Sequence, residues 1–430
     1  MHDLPRTARP VRPLAWVSAA EGAFVLLLAM WTAEGVYFLS TRPGPSLSDA
    51  QYYWHAGRSF LQTGVLGDHW PPLYPLIAAA AQALAGLGTL VAAQTVTVWA
   101  TISGTAWALL RRRGPLAAAA FLFSMAVYPA LYLFSRFSLT DSLFACGLLA
   151  WALLAGSPQR PRRLGAGAVL AGLVVLRPEA IPVLIGVTAW LLYRRDARAA
   201  AQHAALPAAV LLGWAAYNAA HGRGFVFTQN SFWENLRLGN NSTAWGNFAG
   251  PLRPAAGTTA VYRALVLAWV GHHPLRYAWL CVSRVFLFWL LPVDYVEQLA
   301  VSAHVVPWMW LSLARIVVPF YPLVLWWSIR TLRPSRQPRR SAATAPALIA
   351  VAAQWAFVVP FFVQARFRLP ALPLVGLVWA EALARWERQR TAPRVPPVAP
   401  PAAGADGPGG RPALPACRHR AGLRRNGPSA

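Results

Sequence analysis

Asp and Glu together number only 14 in 430 residues, so each carboxylate beside an apolar run is a candidate for chemistry. Asp49 opens Asp49-Ala50-Gln51-Tyr52-Tyr53-Trp54, and the same stretch ends in Gly67-Asp68-His69-Trp70-Pro71-Pro72-Leu73-Tyr74-Pro75. A carboxylate set among aromatic rings at a lipid surface can accept a proton from a hydroxyl group or hold a metal. The rings of Tyr52, Tyr53 and Tyr74 offer stacking faces to a saccharide, or anchors at headgroup level. A solvated loop aspartate beside an ordinary aromatic belt has the same pattern. Asp141, in Arg136-Phe137-Ser138-Leu139-Thr140-Asp141, also has two readings. It is a second functional acid, or an N3 acid favoured by the helix dipole after an N-cap at Ser138.

Arg177 and Glu179, in Leu176-Arg177-Pro178-Glu179, interrupt an apolar stretch. Ionisable groups in such a place mark functional sites, or form an internal pair that fixes a hairpin. Arg366 and Arg368 lie in Gln364-Ala365-Arg366-Phe367-Arg368-Leu369-Pro370, between the last two apolar runs and across the membrane from the other arginine clusters. Guanidinium on that face calls for a reason, and an anionic phosphate supplies one because its oxygens match the guanidinium bidentately. His69, His272 and His273 are candidate ligands for a divalent metal, at no diagnostic spacing. No Walker A loop, Gly-rich dinucleotide turn or Gly-x-Ser-x-Gly elbow occurs, so no nucleotide cofactor is expected.

The elements that must position these residues follow from composition. The chain is 57% hydrophobic and 12% charged, with a mean hydropathy of +0.40. A soluble domain carries about 25% charged residues. The net charge of +25 is carried entirely by arginine, since the chain has no lysine. This composition suggests a high-GC bacterial genome. The arginines fall in clusters between apolar runs (6–12, 111–113, 160–163, 194–198, 330–340) and after the last run. Such spacing fits the positive-inside rule better than a nucleic-acid-binding face, and no nucleic-acid partner is expected. Three scattered cysteines make no disulfide framework.

Apolar runs at 14–39, 90–110, 115–134, 139–155, 166–176, 180–193, 204–220, 275–291, 305–327, 345–362 and 369–384 imply an all-α polytopic membrane protein of about eleven (about 9–13) transmembrane helices. The first run is too long and too acidic for a signal peptide. The pair of runs around Arg177 is short, as two half-helices or a tight hairpin would be. Residues 1–13 read as a cytoplasmic N-terminal segment, 14–385 as the membrane domain and 386–430 as a disordered Pro/Ala/Gly/Arg-rich cytoplasmic tail. Within the domain, 40–88 form a first extracytoplasmic loop with helices lying along the membrane surface. Residues 221–274 form a second, polar loop around Gln229-Asn230-Ser231 and Gly239-Asn240-Asn241-Ser242. The charge pattern needs one more inversion nearby, either a span hidden in 259–271 or a re-entrant 275–291.

The first helix followed by Asp49 and paired tyrosines, the Asp68–Pro75 string, Leu139-Thr140-Asp141, Leu176-Arg177-Pro178-Glu179 and Arg366-Phe367-Arg368-Leu369-Pro370-Ala371-Leu372-Pro373 together resemble the GT-C superfamily of membrane glycosyltransferases. The nearest branch contains the protein O-mannosyltransferases and the ArnT-like aminoarabinose transferases of lipid A, and the resemblance covers roughly residues 14–385. It implies a GT-C-type helical bundle in the bacterial cytoplasmic membrane, working on the extracytoplasmic side. The donor would be a polyprenyl-phosphate sugar, and the acceptor a glycan, glycolipid or protein beside membrane lipid. Asp49 would be the general base, with inversion at the sugar carbon, and Asp141 a second acid supporting the site. Arg177, Arg366 and Arg368 would meet the leaving phosphate, and Tyr52, Tyr53, His69, Tyr74 and Glu179 would contact substrate. Ala50 stands where many protein O-mannosyltransferases carry a second acid. A transporter or flippase of lipid-linked glycans is the alternative, although it should show buried polar residues through several helices and repeat symmetry. A structural scaffold would leave the outward acids and arginines without a role.

Overall fold

The computed structural model describes residues 14–41, 49–137, 139–157, 159–244, 259–290, 316–332 and 344–391. The N-terminal segment 1–13, the candidate cap Ser138, the first part of the 305–327 run, most of the 330–340 arginine cluster and the tail beyond 391 lie outside the described residues. Among the described residues are sixteen α-helices, one 3-10 turn and no strand. Met1–Gln389 is one unit, and of the second unit only the last residues of the final helix are described.

Mainly apolar sequence writes the first, third and fourth helices, whereas the second is amphipathic. Helix α1 is Leu14–Ser40. Helix α2, Asp49–Thr63, carries Asp49 in its first turn, where a negative charge suits the dipole. Pro71-Pro72 precede α3, Leu73–Leu84, and α4 runs Leu87–Arg113. Three arginines fill the last turn of α4, and Gly114, at φ 99°, stops it in a backbone conformation that a side chain rarely adopts. The expected 115–134 run is broken in two, α5 (Pro115–Ala126) and α6 (Ala130–Ser135), because Pro129 cannot continue the hydrogen-bond ladder.

Helix α7 is Asp141–Ala155. Asp141 is its first residue, one after the N-cap position Thr140, and no side chain caps the helix, so the N3 capping reading is corrected. Helix α8, Arg160–Val174, starts earlier than the expected 166, and a short turn through Arg177 leads to α9, Ala180–Tyr193. Asp196 caps α10, Ala197–Ala220, by accepting from the Ala199 amide at 3.0 Å.

The second polar stretch contains α11, Phe232–Gly239, and α12, Thr259–His272. Helix α13, Pro274–Leu290, follows after His273 alone, so the suspected 259–271 segment is helical. Then come α14 (Phe320–Leu332), α15 (Thr344–Val358), the 3-10 turn Ala365–Arg368, and α16 (Ala371–Thr391). Helix α16 continues past residue 385, where the tail was expected to begin, and its Arg385 donates to the Leu332 carbonyl at 3.2 Å.

Two stretches, Ala19–Ser40 and Ala197–Ala220, are long and apolar enough to cross a membrane by length and composition. Helices α3, α5, α7, α9 and α15 are apolar but only 12 to 15 residues long. What is shown of the expected architecture is therefore its all-helical class.

Three long-range bonds set the loops around one end of the bundle. The Leu73 amide donates to the Val175 carbonyl at 3.0 Å, fastening the start of α3 to the α8–α9 turn. The Leu66 amide donates to the Tyr217 hydroxyl at 2.9 Å, and the Asn230 amide to the Asp68 carbonyl at 2.9 Å. The first two tie the first polar loop to the α8–α9 turn and to α10, and the third joins the two polar loops directly.

Candidate functional site

A cavity of about 470 Å³ opens among these elements. Its walls come from the start of α2 (Asp49, Tyr53), the α6–α7 junction (Thr140, Asp141), the α8–α9 turn (Arg177, Glu179), α11 with the residues before it, and the 3-10 turn (Gln364, Arg366, Phe367). Helix starts and turns leave side chains at an end of the bundle, where they can converge without breaking helical packing.

The deepest cluster is a three-residue ion pair. Arg177 Nη1 donates to Asp141 Oδ1 at 2.5 Å, and Nη2 to Glu179 Oε1 at 2.6 Å. Arg177 also reaches Glu179 Oε1 from Nε at 3.1 Å and the Thr140 hydroxyl from Nη1 at 3.3 Å. All three charged side chains are buried. Burial alone would lower the Arg177 pKa, but the Asp141 and Glu179 carboxylates raise it above its ordinary value, so the guanidinium is a fixed cation. Pro178 closes the turn, and Gln354 of α15 donates to the Glu179 carbonyl at 3.0 Å. The pairing reading of Arg177 and Glu179 thus describes their geometry, and Asp141 joins them.

The second cluster lies nearer the opening. Arg366 Nη2 donates to Asp49 Oδ2 at 2.9 Å, and Arg366 Nε donates to Gln364 Oε1 at 2.7 Å. Asp49 retains 24% side-chain exposure, against 2% for Asp141, so it is the carboxylate that an entering molecule meets. Tyr53 joins the clusters, because it lines the same cavity and lies in the fields of Asp49, Arg177 and Asp141. Burial pushes the Tyr53 phenol up, and the neighbouring carboxylates add to that. Three carboxylates and two guanidiniums therefore face one space, beside an apolar wall that includes Phe232, Phe357 and Phe361.

The other expected residues are placed differently. Tyr74 is buried behind the cavity, its ring 4.8 Å from that of Tyr53, and its hydroxyl donates to Gln94 at 3.3 Å. Gln94 in turn donates to the Leu139 carbonyl at 2.8 Å, so this pair steadies the strand of chain entering Asp141. Tyr52 is 60% exposed and does not line the cavity. His69 is exposed, edge-on to Trp70 at 4.8 Å, and does not line it either.

Arg368 is the main correction. It is buried outside the cavity lining, close enough to Tyr321 to act on it electrostatically. A 3-10 turn advances about 120° per residue, so residues two apart cannot share a face, and Arg366 takes the cavity. Among the described residues no group of three or more His, Cys, Asp or Glu side chains is arranged to hold a metal ion.

Sequence reasoning assigned no role to Thr140, Trp70 or Gln364, although each stands inside a quoted motif. It also missed Thr228, Gln229, Phe232 and Asn235, which bring the second polar loop to the cavity. The polar run at Gln229-Asn230-Ser231 was the only signal for them.

No protein-family model matches the chain, and no curated protein matches it.

Proposed function

We propose that the chain is an integral-membrane glycosyltransferase that moves a sugar from a polyprenyl-phosphate donor to an extracytoplasmic acceptor, a cell-envelope glycolipid, polysaccharide or protein. The observation that carries this reading is the convergence of Asp49 and Arg366 with the Asp141–Arg177–Glu179 cluster on one cavity, from segments far apart in the chain.

In this reading Asp49 takes the proton from the acceptor hydroxyl. The freed oxygen attacks the anomeric carbon from the face opposite the phosphate, and the sugar–phosphate bond breaks with inversion. Negative charge grows on the departing phosphate, where Arg366 and Arg177 stabilise it. Glu179 and Asp141 keep Arg177 in place, and Tyr53 keeps its proton for donation to a substrate oxygen. The phenylalanine-lined wall suits an apolar chain. Support for a lipid setting comes from the exterior, where Val25, Leu26, Val36, Ile185, Leu212, Trp279, Phe286 and Leu323 are exposed.

The test is incubation of the purified full chain with radiolabelled polyprenyl-phosphate sugars and a total membrane extract. Transfer of label is expected for the wild type, with a loss of about 10²–10⁴-fold in Asp49→Asn while the protein stays folded. Wild-type transfer by Asp49→Asn would remove the assigned base. Movement of lipid-linked glycan across vesicles without transfer would favour the flippase reading.

A further inference from the structure

Three helices end in the same device. In α4, Arg111 lies over the Trp107 ring at 5.0 Å; at the C-cap of α9, Arg194 lies over Trp190 at 5.5 Å; in α14, Arg330 lies over Trp326 at 4.1 Å. Each pair is Trp then Arg four residues on, the spacing that stacks neighbours on one helix face. Arg111, Arg194 and Arg330 are exposed, as are Trp107 and Trp326. Among the described residues none of the three arginines forms a salt bridge, whereas the neighbouring Arg113 and Arg163 are held by Glu381 and Asp196.

All three pairs lie at the end of the bundle away from the cavity. Gln94 bonds the chain entering the site, and Arg111 is about 26 Å further along α4 at 1.5 Å per residue. Glu179 lines the cavity, and Arg194 is about 22 Å along α9. The end of α14 belongs to the same region, since Arg385 of α16 bonds Leu332 while Glu381, one turn earlier, bonds Arg113 of α4. These separations approach the thickness of a bilayer's hydrocarbon core, about 30 Å.

Stacking on an indole uses the face of a guanidinium and leaves its in-plane N–H groups for phosphate oxygens. An indole is at home at the boundary between hydrocarbon and headgroups. We propose that the three Trp–Arg pairs bind the phosphodiester headgroups of anionic phospholipids in the leaflet opposite the cavity. This rests on the membrane setting proposed above, but not on the sugar chemistry.

The test uses the full chain reconstituted in phosphatidylcholine bilayers with trace spin-labelled phosphatidylglycerol or spin-labelled phosphatidylcholine, read by the motionally restricted fraction. The wild type is expected to restrict phosphatidylglycerol more than phosphatidylcholine, by up to about fivefold per site at low salt. The combined variant Arg111→Gln, Arg194→Gln, Arg330→Gln should lose that preference, while Arg263→Gln, whose guanidinium lies over Trp233 of α11 beside the cavity, should keep it. Equal restriction of the two lipids by the wild type overturns the proposal without reference to any variant. Restriction of neither lipid overturns the membrane setting itself.

Discussion

At the scale of single residues, the site is a balance of buried charge. Arg177 serves two carboxylates with side-chain exposures of 2% and 9%, and each hydrogen bond to it replaces water that burial has removed. Removing the cation strands both acids. Arg177→Gln should destabilise the protein by about 3–5 kcal/mol, read as a lower midpoint in denaturant unfolding of the purified chain. A midpoint unchanged from wild type would mean that the carboxylates are hydrated in solution. Tyr53 gives a second prediction. Its folded phenol is raised above the ordinary value near 10 by burial first and by Asp49 and Asp141 next. The stability linked to this proton is complete below about pH 10 and drains away as pH rises through the folded value, because only the unfolded chain ionises there. Above about pH 10 the wild type should lose about 1.4 kcal/mol per pH unit more than Tyr53→Phe, measured by unfolding at several alkaline pH values. Individual residue types were legible in the sequence, because scarce acids beside apolar runs stand out. Their partners were not. Arg366 meets Asp49 from 317 positions away, a pairing that no local spacing encodes, and Arg368 was read with it although a tight turn sends the two to different faces.

Among the elements, helices written by long, mainly apolar runs, such as α1, α4 and α9, lie where hydropathy puts them. The short pieces that shape the cavity were harder to see. Helix α11 has eight residues and is set by tertiary contacts instead. Buried Arg284 of α13 donates to the Asn240 side chain at 3.1 Å, to the Val359 carbonyl at 3.0 Å and to the Gly239 carbonyl. Asn240 also donates to the carbonyls of Leu236 at 2.7 Å and Pro360 at 2.8 Å. The end of α11 is thus clamped to the segment after α15, and Gly239 is what lets them approach. A Cβ at Gly239 would lie 1.6 Å from the Phe361 carbonyl oxygen, and backbone cannot swing aside as a side chain can. Gly239→Ala should therefore cost about 3 kcal/mol or more in unfolding free energy and push Phe232 and Leu238 out of the cavity wall. Amide exchange across residues 232–239 should become faster, while exchange in α4 and α9 keeps its wild-type rate. Wild-type exchange in α11 would show that the clamp yields at no cost.

For the whole molecule, the distribution of polarity is what needs explaining. The buried interior contains Asp141, Arg177, Glu179, Arg284 and Arg368, while large apolar side chains such as Leu26, Leu212, Phe286 and Trp326 face outward. In water the exposed apolar surface would favour aggregation; in lipid it is solvated, and buried charge turned toward partners is the arrangement that hydrocarbon demands. On the membrane setting proposed above, the cavity end and the opposite end of the bundle should face different compartments. Tyr52, exposed beside Asp49, belongs to the cavity end, and Arg112, exposed at the end of α4, to the other. In a chain whose Cys146, Cys281 and Cys417 are alanine, Tyr52→Cys should react with a membrane-impermeant maleimide added outside intact cells. Arg112→Cys should react only after the membrane is opened. Alkaline carbonate should leave the chain in the pellet, because burial of outward apolar side chains in lipid is indifferent to the pH that strips peripheral proteins. Labelling of Arg112→Cys from outside with Tyr52→Cys protected would invert the molecule, placing Asp49 on the cytoplasmic side, where an extracytoplasmic sugar transfer from that carboxylate is impossible.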